Sequence, residues 1–185
     1  ADEPPSGPSD ASAPSGPVVF DLGTRQLDGA AAVDRLREVC ELQVPRAHKI
    51  DSMLRGHWAA EVGVLARHRR VLIVPSAPLL GRTCVDGVVH VHGRRLANGE
   101  LKTHIPEVQW LPSVDAVAAW LSVGDGIACC ADVSAFVDDG SLPADVVIVG
   151  PAFPIGVALR HRPHVPAPLP RRPAGSVVVV CGSAS

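Results

Sequence analysis

Aromatic residues make up only 3% of this 185-residue sequence, and tyrosine is absent. That scarcity accompanies an abundance of Ala, Val, Arg, Gly and Pro, the bias of a GC-rich genome, and excludes no function. An excess of either charge is also lacking. A formal net charge of -2 leaves no basic surface of the extent that neutralising nucleic-acid phosphates requires, so nucleic acid is excluded as an expected partner. No apolar run reaches the eighteen or so residues that span a bilayer. The opening ADEPPSGPSDASAPSGP has neither the basic nor the apolar region of a secretion signal. No membrane association and a cytoplasmic location are expected. The five cysteines, at positions 40, 84, 129, 130 and 181, are odd in number and lack C-x-x-C spacing, so they read as reduced thiols and not as a disulfide framework.

What the sequence does have is 46% hydrophobic residues, enough for one domain with a real core. Residues 1–17, rich in Pro, Ser and Gly, cannot bury enough apolar surface to order themselves and read as a flexible or eroded N-terminal segment. Residues 18–160 read as an α/β domain. Val18-Val19-Phe20 suggests a strand, and Ala30–Leu42 a helix with Ala31, Val33, Leu36 and Cys40 at helical spacing. Beyond Ala47–Ile50 and Asp51, a second helix places Leu54, Trp58, Val62 and Leu65 on an apolar face and His57, Glu61 and Arg67-His68-Arg69 on the other. Continuous apolar runs at 71–74, 127–131, 146–149 and 177–180 are those of parallel strands buried on both faces, and 114–121 reads as helical. The alternation in GVVHVHGRRL predicts a β-hairpin at 87–96. The expected fold is therefore α/β, a mostly parallel sheet flanked by helices with an inserted hairpin. Residues 161–175 form a Pro/Arg-rich linker, and 176–185 read as the start of a truncated nucleotide-binding domain.

The densest group of chemically useful side chains is HKIDSMLRGHWAAE, residues 48–61, at the expected junction of a strand and a helix N-terminus. Such a junction offers free N–H groups and the positive end of the helix dipole to an anion. Arg55 can hold a carboxylate through two parallel hydrogen bonds, Lys49 adds a point charge, and Asp51 can accept from ligand hydroxyls. These suit a small hydroxylated acid. The spacing equally fits a helix capped by Asp51 or Ser52, with Lys49 and Arg55 spent in surface ion pairs. His90, His92 and His104 invite a metal site, but no carboxylate or thiol is spaced to complete one, and no metal site is expected. Cys129 and Cys130 read as buried packing, and Arg67–Arg70 as a solvated helix end.

KIDSMLRG with the following A-A-E, then VPSAPLLGRT and GVVHVHGRRL, resembles the signature of the four-carbon acid sugar kinases. That signature runs K-x-D-S-T-L-R-G-N, a Glu, a strand, P-A-x-P-x-x-G-R and a hairpin. Lys49, Asp51, Ser52, Leu54, Arg55, Gly56, Glu61, Pro75, Pro78, Gly81 and Arg82 fall in place. Val19–Arg25 and Gly182-Ser183-Ala184-Ser185 match more weakly, so the resemblance covers roughly two thirds of the chain. It implies an N-terminal domain of a kinase that phosphorylates threonate- or erythronate-like acids with ATP and Mg²⁺, the nucleotide being held by a second domain. It further implies Arg25, Lys49, Asp51, Ser52, Arg55 and Arg82 as substrate-binding residues, Asp2 as the catalytic carboxylate, and Gly182 and Ser183 as nucleotide contacts.

Departures from the signature shape the expectation. The A-D-D-x-T-G opening survives only as a blurred echo at Ala1–Asp10, Met53 and His57 replace Thr and Asn, and no G-x-x-x-x-G-K-[ST] loop occurs. The chain is thus expected to hold a four-carbon sugar acid and to need a separate ATP-binding domain or subunit for turnover. The alternative is a decayed, non-catalytic small-acid binding protein.

Overall fold

A computed structural model describes Val19, residues 21–131 and residues 142–160. Val18 and Phe20 of the strand expected at 18–20, the strand expected at 177–180, the linker, and Asp2, Gly182 and Ser183 lie outside the described residues.

Five strands form a fully parallel sheet: β1 (Ala47–Lys49), β2 (Arg70–Ile73), β6 (Gln109–Leu111), β7 (Ile127–Cys130) and β8 (Val146–Gly150), in the order β1-β8-β2-β7-β6. Period-two alternation sends successive side chains to opposite faces, and each face has its own core. Val71, Ile73, Ile127, Cys129, Val147 and Val149 join one cluster with Leu36, Trp58, Val62 and Leu65. Leu72, Val74, Ala128, Cys130, Val146 and Ile148 join the other with Val117 and Trp120. Each such aliphatic side chain contributes roughly 1.5–3 kcal/mol relative to exposure, which is why these strands read as unbroken apolar runs.

The first face is covered by α1 (Gly29–Leu42) and α2 (Trp58–Leu65), the second by α4 (Val114–Val123) and α5 (Ala152–Arg160). Asp28 caps α1 by accepting from the Ala31 N–H at 2.9 Å, and Ala32, Leu36 and Cys40 form its buried stripe. Helix α5 has no counterpart in the sequence reading. Its Pro154 falls in the first turn, where a missing N–H costs nothing.

The expected hairpin is a three-stranded antiparallel sheet of β3 (Arg82–Val85), β4 (Val88–Val91) and β5 (Arg94–Glu100), followed by the short α3 (Leu101–His104). Both connections are two-residue turns, Asp86-Gly87 and His92-Gly93, with positive φ at all four residues, the geometry that matches strand twist. His92 therefore sits in a turn and does not share a strand face with His90. Cys84, Val89, Leu101 and Ile105 anchor this sheet to the first core.

Two further differences from the sequence reading concern the 51–61 region. The second helix begins at Trp58, and residues 51–57 form a loop. The Asp51 carboxylate accepts from the backbone N–H of Met53 (2.8 Å) and Arg55 (3.4 Å), offering the chain a local alternative to helical bonds. Glu61, expected on a polar face, is buried. Trp58, Glu61, Val62 and Leu65 stand at i, i+3, i+4 and i+7, so the helical spacing itself turns Glu61 inward.

Candidate functional site

In open parallel sheets, ligands bind beyond the carboxyl ends of the strands. Here β1, β8 and β2 are neighbours, so the loops leaving them meet at one edge. The sheet ladder continues into these loops: Ile50 N–H donates to Gly150 O at 2.9 Å, and Val74 N–H to Val149 O at 2.8 Å. Gly150 is required there, because a Cβ would lie 2.8 Å from Pro154 Cγ and well inside contact distance of Val74 O.

The loop after β1 carries Asp51, Ser52 and Arg55. Arg55 grips Asp51 through Nε (3.0 Å) and Nη2 (2.8 Å), a two-pronged pair on top of the backbone bonds already described. Burial pushes the Asp51 carboxyl up, but the Arg55 guanidinium and the two backbone N–H groups outweigh it and hold the group down at about 2. The sequence offered the Arg55 fork to a ligand carboxylate; in this structure two of its donors hold Asp51, and Nη1 has no bond among the described residues. Leu54 adopts φ 55, a costly value for a residue with a side chain, and its burial offsets the cost.

Arg82 reaches the same loop from the other side. Beyond β2, Ala77 and Arg82 exchange backbone hydrogen bonds of 3.0 and 3.1 Å, closing the 77–82 turn. Gly81 adopts φ 67 there, and a Cβ would strike the His92 ring. Arg82 Nη1 donates to Leu80 O, Nη2 lies 3.8 Å from Met53 Sδ, and Nε is buried without a partner. The structure thus joins Asp51, Met53, Arg55 and Arg82. Lys49, at the end of edge strand β1, is exposed and makes no ion pair among the described residues. Arg25 is exposed on the Thr24–Gln26 turn and has no bond to that group. With Asp51 and Arg55 neutralising each other, Lys49 and Arg82 leave the edge net positive.

A cleft of about 510 Å³ runs from Met53–Ala60 to Leu96, Asn98 and His104. His104 meets the Trp58 ring edge-on, 5.3 Å between centroids. Among the described residues no three His, Cys, Asp or Glu side chains group as metal ligands.

Sequence reasoning missed a buried hydrogen-bonded pair. His48 Nε2–H donates to Glu61 Oε2 at 2.9 Å, with both side chains under a tenth exposed. Burial raises the Glu61 pKa, yet His48 and, to a lesser degree, the nearby Thr24 and His57 hold it below the ordinary carboxylate value. The signal was present: His48 alternates with Ala47 and Lys49 on the same side as the buried Ile50.

Residues 5–106 match the family described as "Sugar-binding N-terminal domain". A D-threonate kinase of Cupriavidus necator is 44% identical over 54 residues, which is 29% of this chain and 13% of that protein. Two crystal forms of a domain of unknown function (DUF1537) from Bordetella bronchiseptica superpose with TM-scores of 0.62 and 0.58 at 20% identity, covering 76% and 72% of this chain. That protein is a domain-swapped dimer with bound citrate, and the matched region spans 43% and 40% of its length. The present chain thus corresponds to less than half of these relatives. Together with the Lys49–Gly56 and Pro75–Arg82 motifs folded onto one sheet edge, these matches establish that the chain belongs to the sugar-binding N-terminal domain family of the four-carbon acid sugar kinases.

Proposed function

We propose that this chain supplies the acid-binding half of an ATP-dependent kinase acting on four-carbon sugar acids of the threonate and erythronate class. The observation that carries the reading is the Asp51–Arg55 pair, locked by two backbone hydrogen bonds at the end of β1 and flanked by Arg82 and Lys49. An ionised Asp51 is an acceptor for ligand hydroxyls, while Lys49, Arg82 and the free Nη1 of Arg55 present positive charge to a carboxylate. Ser52 lies in the same loop, and the family resemblance adds Arg25, on the exposed Thr24–Gln26 turn, as a substrate-binding residue. In the family resemblance Asp2 supplies the catalytic carboxylate, and Gly182 and Ser183 touch the nucleotide. ATP and Mg²⁺ belong to a separate nucleotide-binding domain or subunit, so the acid-binding half alone binds without turnover.

A ligand that binds only the folded state raises the melting temperature, by the equivalent of about 2.7 kcal/mol at a hundred times Kd. The test is a thermal-shift titration with D- and L-threonate and D- and L-erythronate on the native chain, Lys49→Ala and Arg55→Ala. The reading expects a stereoselective rise that both substitutions abolish; no rise with any of the four acids would refute it. A second reading, a non-catalytic small-acid binding module, is favoured by His57, whose Nε2–H is spent on Leu27 O at 2.7 Å where the family has Asn. It predicts the same thermal shift but no ADP formation when the acid, ATP and Mg²⁺ are supplied together with the family's nucleotide-binding domain.

A further inference from the structure

Glu61 is 5% exposed, ionised, and carries one oxygen, Oε1, with no hydrogen-bond partner. Burying a carboxylate with an unsatisfied oxygen is expensive, and an apolar side chain of similar volume on this helix face would be the cheaper way to fill the space. Packing alone therefore gives no reason for a carboxylate between Trp58, Val62 and Leu65.

Its surroundings supply one. Three segments converge on Glu61, and each carries a residue of the acid site one or two positions away. His48, bonded to Oε2 at 2.9 Å, precedes Lys49 on β1 and stands three residues before Asp51. Thr24, whose side chain approaches the carboxylate without completing a bond to Oε1, precedes Arg25. His57, also close to the carboxylate, ends the loop that holds Arg55 and ties it by its Nε2–H to Leu27 O, at the far end of the Arg25 turn. Arg25, Lys49 and Arg55 share no bond with one another among the described residues, so their own side chains do not fix the three segments relative to one another. A buried carboxylate reached from all three segments does.

We infer that Glu61 is the positioning residue of the acid site: one buried carboxylate sets the Thr24–Leu27 turn, the end of β1 and the 53–57 loop relative to one another. The inference rests on the acid-binding reading of Arg25, Lys49 and Arg55, but its structural half can be measured without ligand. The groups facing Glu61 are His48 from β1, Thr24 from the turn and His57 from the start of α2.

The experiment compares the 185-residue chain with Glu61→Gln, Glu61→Asp and Thr24→Val by amide hydrogen exchange and by D-threonate titration. In Glu61→Gln, the amides of Leu27, Ile50, Met53 and Arg55 are expected to exchange at least tenfold faster together, while Leu72 and Ala128 in the sheet keep native rates. The D-threonate Kd should rise at least tenfold. Glu61→Asp keeps the charge and should lie closer to the native chain than Glu61→Gln in both readouts; a packing role would give the reverse order, because Gln preserves volume. Thr24→Val, which leaves the core intact, should loosen only residues 24–27. A uniform rise in exchange across the sheet, or D-threonate binding that Glu61→Gln leaves unchanged, overturns the inference. If the native chain binds none of the four acids, the acid reading fails by itself, and the joint or separate loosening of the three segments decides the positioning role.

Discussion

Replacing Arg70 by Met should cost about 3–4 kcal/mol of stability. Arg70 opens β2, and its side chain is 13% exposed. It donates to the carbonyls of Trp120 (2.7 Å), Leu121 (3.0 Å) and Gly124 (3.2 Å) and to both oxygens of Asp145 (2.7 and 3.2 Å), and it lies 5.2 Å from the Trp120 ring. It thereby closes the carboxyl end of α4, where carbonyls lack intrahelical partners and the dipole favours a cation. Met retains most of the aliphatic stem and its packing, so the loss is confined to the head group. Hydrogen bonds to a charged donor contribute roughly 1.5–3 kcal/mol each. Solvation of the exposed helix end recovers part of three of them, leaving the estimate of about 3–4 kcal/mol, or roughly 6–16 °C in a domain of this size. The Asp145 pair, with the carboxylate 60% exposed, contributes little, so Asp145→Asn should cost under about 1 kcal/mol. Urea unfolding followed by circular dichroism measures both. If Arg70→Met costs less than about 1 kcal/mol, or Asp145→Asn costs as much as Arg70→Met, the helix-closing argument is wrong.

Three other outcomes are expected. Gly150→Ala should destabilise by about 2–3 kcal/mol, because the added methyl is driven into Val74 O at the junction of β8 and β2, whereas Gly63→Ala, with open space around it, should be neutral or slightly stabilising in the same urea assay. Asp51 has a folded-state pKa of about 2 against 3.8, so its contribution is present above pH 3.8 and fades as pH falls towards 2. Melting curves of Asp51→Asn should therefore converge with those of the native chain in that window, after lying a few °C lower at neutral pH; parallel curves would show that Asp51 is not linked to folding. Burial pushes the Cys129 thiol well up, aided by Cys84 and Cys130, and raises Cys40 despite Arg69. In a Cys181→Ser chain, Ellman's reagent at pH 8 should label no thiol until urea is added, and rapid native labelling would contradict the buried placement.

Much of the architecture is legible in local pattern. The runs at 71–74, 127–130 and 146–149 are apolar on both faces because each strand lies between two cores. Asp86-Gly87 and His92-Gly93 fix their turns through backbone preference alone. The Lys49–Gly56 and Pro75–Arg82 motifs named the candidate loops and the family. What the sequence by itself determined, then, was the parallel sheet, the hairpin and the family, all properties of short segments.

Contacts between distant segments belong to the tertiary structure. Arg70 follows three basic or polar residues and reads as solvated, but its partners stand about 50 to 75 residues away, beyond any periodicity. The loop at 51–57 escapes helix because the Asp51 carboxylate competes for backbone donors and Arg55 completes the turn, a balance that helical spacing cannot register. Only the folded chain brings Arg82 to Met53 and spends the Arg55 fork on Asp51. Burial of the His48–Glu61 pair was decided there too, since a charge is tolerated inside only when its partner arrives from another element, and that meeting is a property of the packed layers.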